Sequence, residues 1–280
     1  MPKTAFILAG GASRGAYQAG CLKRLEEEGI EAGLLIGSSI GVCNALVFAS
    51  GGSEALWGFW SRAVSLPKVF DISLTKNALL GNSFFSMDRL KGYLDEEVDY
   101  DRCFHSEQEL VFVVANLTAG REELRGNRTE HDVDTFRKVA TAGYTIPILH
   151  PLVEIDGEQF ADGGFLWNVP FEHAEAWGAE RIFVLSVIPS ELPPAESLRF
   201  IPQVATRMYD MFWRTFGNSS YLQKRVEDGR HDGVEVTVLE PSPETGMFDP
   251  VGMLNAHPGK SKKLLLQGYR DTEQALLGSR

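Results

Sequence analysis

Thr4-Ala5-Phe6-Ile7-Leu8 runs directly into Ala9-Gly10-Gly11-Ala12-Ser13-Arg14-Gly15-Ala16-Tyr17, and this junction decides the fold. The first run is apolar, uncharged and of strand length, so it reads as a buried strand. The glycines behind it make a tight turn. From Gly15 to Glu28 the period changes: Ala16, Ala19, Leu22 and Leu25 fall near one face, while Lys23, Arg24 and Glu26 to Glu28 face water. A strand, a glycine turn and an amphipathic helix make up half of a βαβ unit.

The same alternation continues outward. Strands are expected at Leu34 to Ile36, Leu110 to Asn116, Arg181 to Val187 and Val234 to Leu239. Helices are expected at Ile40 to Ser50, Ser86 to Val98, Val133 to Ala142, Phe171 to Trp177 and Lys260 to Leu277. Strands separated by helices predict an α/β fold with a mostly parallel central sheet. The Pro-rich stretches Ser190 to Pro194 and Glu240 to Pro250 read as loops rather than linkers, because apolar strands continue on both sides. One domain over residues 1–280 is expected, without internal repeats.

Composition narrows the function. Lys+Arg 27 against Asp+Glu 38 gives a net charge of −11, without the basic clusters that phosphate binding needs, which argues against nucleic acid. Anionic headgroups would repel such a surface, so any membrane contact would be transient, local and apolar. Cys21, Cys43 and Cys103 form neither a disulfide framework nor a zinc spacing, which fits a reducing cytoplasm and no metal. The run Ala5 to Ala9 is too short for a signal segment, and no apolar stretch reaches the roughly 20 residues of a membrane span.

Three motifs carry chemistry. Gly37-Ser38-Ser39-Ile40-Gly41 follows a strand and opens a helix, the setting of a nucleophile elbow with Ser39 as nucleophile. Side chains at Gly37 and Gly41 would collide with neighbouring backbone in so sharp a turn. The alternative is a serine that caps an ordinary helix. Gly10, Gly11 and Ala12 could aim backbone N–H groups at an oxyanion; phosphate binding competes, but the spacing is not G-x-G-x-x-G, and no Gly-Lys-Ser/Thr follows. Asp162-Gly163-Gly164 presents a carboxylate on a stiff turn, where it could act as a base or simply stabilise that turn.

Together these blocks resemble the patatin-like phospholipase family. Leu8 to Tyr17, Gly37 to Gly41, and Asp162-Gly163-Gly164 with Asn168-Val169-Pro170 stand in that family's order, and Ala140 to Pro151 and Gly268-Tyr269-Arg270 extend the likeness over nearly the whole chain. The resemblance implies a three-layer α/β/α fold and a Ser39–Asp162 dyad that acts through an acyl-enzyme, with neither histidine nor cofactor. The implied substrate is a lipid or other acyl ester. The six histidines have no setting that marks a triad member, and most are expected at the surface or in loops. Ala12 departs from the family, which often has a third glycine there; a positive φ would strain it. Arg14 matches a basic residue frequent in the family's loop, either as a brace or as a contact for a substrate's negative group.

Weaker signals concern the acyl chain. Val204, Met208, Phe212 and Phe216 recur every fourth residue, and Tyr209, Met211 and Trp213 widen the stripe. Core packing is the expected reading, with an acyl pocket or lid as the alternative. Trp57, Phe59, Trp60 and the pair Phe84-Phe85 invite the same two readings, and Cys43 is expected as a small packed residue beneath the elbow. A serine ester hydrolase is the leading function. An acyltransferase or thioesterase on the same dyad, and a non-catalytic acyl-binding protein of the same fold, are the alternatives.

Overall fold

The computed structural model describes residues 2–62, 88–192, 194, 198–212, 226, 229–242 and 258–278. In chain order come β1 (Thr4–Leu8), a 3-10 turn (Ala12–Arg14), α1 (Gly15–Glu27), β2 (Leu34–Gly37), α2 (Ile40–Ser61), α3 (Asp88–Glu97), α4 (Tyr100–Phe104) and β3 (Glu109–Asn116). Then follow β4 (Arg121–Gly126), α5 (Val133–Gly143), β5 (Val153–Ile155), β6 (Glu158–Asp162), a second 3-10 turn (Gly163–Phe165) and α6 (Phe171–Ala176). The last described elements are β7 (Arg181–Leu185), α7 (Ile201–Phe212), β8 (Arg230–His231), β9 (Val234–Leu239) and α8 (Pro258–Gly278).

The strands form one sheet in the order β5-β6-β3-β2-β1-β7-β9-β8, with β4 also on β3. Strands β3, β2, β1, β7 and β9 pair in parallel. Helices cover both faces. Phe6 and Leu8 of β1 point into a core shared with α1, α2, α5 and α8, whereas Ala5 and Ile7 meet Phe171 and Ala174 of α6 on the other face. Burial on both faces is why β1 reads as an unbroken apolar run.

One feature of the sheet places the site. Val111 and Phe112 pair with both β2 and β4, and Val114 to Asn116 pair with both β4 and β6. A strand has two edges, so β2 and β6 share one edge of β3. They run toward each other along it: Gly37, the last residue of β2, lies opposite Phe112, and Asp162, the last residue of β6, lies opposite Val114. The C-terminal ends of the two strands meet with one β3 residue between them.

The structure extends the sequence reading in several places. β4, Arg-Glu-Glu-Leu-Arg-Gly, is too charged and exposed to read as a strand, and β5, β6 and β8 are short. α2 continues past Gly52, which takes φ 74° at a kink, because Leu56, Phe59 and Trp60 beyond it are buried. The expectation of a core stripe is corrected where the described residues reach it: within α7, Val204, Met208 and Met211 are 40%, 65% and 53% exposed. Among the described side chains of that helix, the buried one is an acid, Asp210. The side chains of Tyr209 and Phe212, and all of Trp213, Phe216, Phe84 and Phe85, lie outside the described residues.

α1 and α8 cross in backbone contact. A methyl group at Gly20 would lie 2.0 Å from the Leu265 carbonyl oxygen, and one at Gly268 would lie 2.0 Å from that of Tyr17. Beside the crossing, the Tyr17 hydroxyl donates to Asp271 at 3.0 Å.

Candidate active site

Ser39 occupies the turn between β2 and α2 with φ 53° and ψ −123°, a conformation that L residues rarely adopt. Its N–H donates to the Gly143 carbonyl at 3.1 Å. Its hydroxyl makes no capping bond to α2, so the helix does not use it. The flanking glycines are sterically required: a methyl at Gly37 would lie 2.8 Å from the Gly41 backbone, and one at Gly41 would lie 2.0 Å from Leu8 O. Beneath the turn, Cys43 is fully packed, and burial raises its thiol pKa.

Asp162 is fixed by its own strand and by its turn. Its N–H donates to Thr145 O at 2.8 Å, and its Oδ1 accepts the Gly164 N–H at 2.8 Å. Its Oδ2 is buried and has no hydrogen-bond partner among the described residues. One carboxylate oxygen therefore stabilises the turn and the other is unused. Burial pushes the carboxyl up to about 7, while the nearby Ser39 hydroxyl and the Gly164 N–H pull it back. Ser39 lies close enough to act on the charge without closing a hydrogen bond, a looseness common in unliganded sites.

The glycine loop after β1 is held from several sides. The Gly10 N–H donates to Asn168 Oδ1 at 2.6 Å, so it is committed within the protein and is not the free donor that the sequence suggested. The N–H groups of Gly11 and Ala12 donate to no described residue. Ala12 does take a positive φ, 53°, at a cost of about 1–2 kcal/mol for an alanine. Gln18 donates to the carbonyls of Ala9 and Leu185, and Asn44 binds Gly15 O and Gln18 Oε1 behind it. Arg14 is fully buried and forms a two-pronged ion pair with Asp210 of α7, at 2.6 and 2.9 Å. Of its two expected roles, the structure shows the brace.

A family model described as patatin-like phospholipase matches residues 6–175, from β1 into α6 and across all three motifs. The chain belongs to the patatin-like phospholipase family. Over 195 residues it is 26% identical to patatin-like phospholipase domain-containing protein 6 of Homo sapiens, covering 65% of this chain and 13% of that protein. It is also 26% identical over 188 residues to lysophospholipase nte1 of Aspergillus terreus, covering 65% of this chain and 12% of that protein. The chain thus spans a small fraction of the length of the curated relatives it matches. VipD from Legionella pneumophila has a similar fold, with a TM-score of 0.50 at 14% identity over 99% of this chain and 67% of that one.

In this patatin-like chain several supporting residues escaped the sequence reading. Asn168 stood in a quoted block without a role. Asp210 had a signal, a lone acid within an apolar helix. Of the histidines, His150 lies in the loop between α5 and β5 but is fully buried, accepts the Ile146 N–H on Nδ1 at 3.1 Å, and is shifted by burial down to about 4. Glu175 of α6, His231 of β8 and Asp232 of the β8–β9 turn gather their ligand atoms within 4.8 Å, with His231 Nδ1 2.7 Å from Glu175 Oε1. Among the described residues no helix is long and apolar enough to cross a membrane.

Proposed function

We propose that the chain hydrolyses carboxylic esters of lipids or lysolipids with a Ser39–Asp162 dyad. The observation that carries this reading is a buried, unpartnered carboxylate oxygen of Asp162 beside a serine in a strained turn whose hydroxyl the following helix leaves unused. Family membership supports the lipid ester as substrate class. Asp162 takes the Ser39 proton as Oγ attacks the ester carbonyl, and the N–H groups of Gly11 and Ala12 receive the developing oxyanion. The positive end of α2, which begins at Ile40, lies beneath the same carbonyl. Asp162 then gives the proton to the leaving alcohol, and the acyl group stays on Ser39. In the second half Asp162 deprotonates a water that attacks the acyl-enzyme, and the proton returns to Ser39 as the acid leaves. Burial suits Asp162 to this work, since a carboxyl near 7 is a far better base than one in the ordinary range.

The test is hydrolysis of short- and medium-chain p-nitrophenyl esters, with chelator present, by the parent, Ser39→Ala and Asp162→Asn. Both variants should fold and lose at least about 10³-fold in kcat. A parent without turnover, or a Ser39→Ala variant that matches it, would overturn the reading in favour of a non-catalytic acyl-binding protein.

A further inference from the structure

Asn168 lies between the three motifs. Its Oδ1 accepts the Gly10 N–H at 2.6 Å, and its backbone carbonyl accepts the Ser38 hydroxyl at 2.9 Å. One residue thereby ties the glycine loop to the elbow, and it reaches both from the segment that follows Asp162. It is also close to both proposed reacting groups. A methyl at Gly10 would touch Ser39 Cβ (2.8 Å) and Asn168 Oδ1 (3.0 Å) together, and one at Gly164 would touch Asp162 Oδ1 (2.9 Å) and Asn168 Oδ1 (3.6 Å) together. The side chain is 1% exposed.

The bond from Gly10 fixes which way the amide faces. With Oδ1 engaged, Nδ2 is turned the other way, where it is buried and donates to no described residue. An aspartate would serve Gly10 equally well and leave no donor stranded. It would also place a second carboxylate beside Asp162, whose own charge is already disfavoured by burial. A neutral acceptor is the residue type that satisfies both demands.

We propose that Asn168 is a positioning residue of the ester hydrolysis: it holds the Gly10 peptide so that the Gly11 and Ala12 N–H groups face the carbonyl attacked by Ser39, without adding charge beside Asp162. The inference rests on the hydrolase reading above. It acts through Gly10 and Asp162 rather than on substrate.

The experiment compares the parent, Ser39→Ala, Asn168→Ala and Asn168→Asp in p-nitrophenyl butyrate hydrolysis from pH 5 to 9. Asn168→Ala releases the loop and should lower kcat about 10²-fold, the size of effect that follows a misplacement near 1 Å, with KM little changed and the acid midpoint where it was. Asn168→Asp keeps the acceptor for Gly10 and the shape of the side chain. Its acid midpoint should move to higher pH by about one unit, with kcat on the alkaline plateau above that of Asn168→Ala. A purely structural role would not shift that midpoint. If Asn168→Ala fails to fold, the isosteric Asn168→Asp decides the matter alone. An inactive Ser39→Ala with both Asn168 variants within about twofold of the parent in kcat and midpoint would overturn this inference and leave the dyad standing. Turnover that survives Ser39→Ala would overturn the dyad, and this inference with it.

Discussion

At the scale of single residues, Asp162 departs far from what its type suggests. A carboxylate with an ordinary pKa would be a weak base, but burial in the angle between β2 and β6 raises it to about 7. The cost appears in stability. Below the unfolded pKa near 4 the carboxyl is neutral in both states and costs nothing. Between about 4 and 7 the unfolded chain ionises first, so stability is lost as pH rises, and above 7 the full penalty is present. Asp162→Asn should therefore be more stable than the parent by about 2–4 kcal/mol at pH 8, with the difference vanishing toward pH 4. Urea unfolding at several pH values measures it, and a difference that grows toward low pH would refute the assignment. The turns that hold Ser39 and Asp162 were legible in the sequence because sharp turns demand neighbouring glycines, which leave a local mark. Asn168 and Asp210 were not, since their partners Gly10 and Arg14 lie 158 and 196 positions away along the chain.

At the scale of elements, the main strands and helices were legible because each is long, apolar or clearly periodic. The antiparallel strands were missed because β4 is charged and exposed, β5 and β8 have too few residues to establish a period, and β6, Glu-Gln-Phe-Ala-Asp, is neither apolar throughout nor alternating. α7 was recognised as a helix but assigned the wrong buried face. Val204, Met208 and Met211 are exposed, while Asp210 turns inward to the Arg14 guanidinium. Asp210→Ala would remove the two-pronged ion pair from a fully buried guanidinium and should cost about 3–5 kcal/mol. The glycine loop should loosen with it, so kcat for p-nitrophenyl esters should fall as well. Equilibrium denaturation read beside turnover checks both effects; a variant as stable as the parent would show that the pair does not brace the loop.

At the scale of the whole molecule, α8 closes one face of the sheet by lying directly on α1. No side chain separates the helices at Gly20 and Gly268. Gly268→Leu must push them apart and should destabilise the fold by about 3 kcal/mol. Gly278→Leu, at the end of the same helix where no described residue lies within 4 Å, should be neutral and serves as the control. Thermal unfolding of both variants distinguishes a required contact from an incidental one. In the sequence the crossing is marked by nothing more than Gly20 within α1 and Gly268 within α8.

The meeting of β2 and β6 on a single edge of β3 separates two kinds of distance. Along β3 the serine and the aspartate must keep their register, and a slip of one residue would turn Asp162 to the opposite face. Along the chain between them no such constraint applies, because the intervening hairpins and helices only have to bring β6 back to that edge. Evolution can therefore lengthen or shorten the intervening chain, or splice a further module into an exposed turn such as Leu117 to Gly120, without retuning the chemistry. Among distant members of this fold, the order of the blocks should persist where the number of residues between them does not.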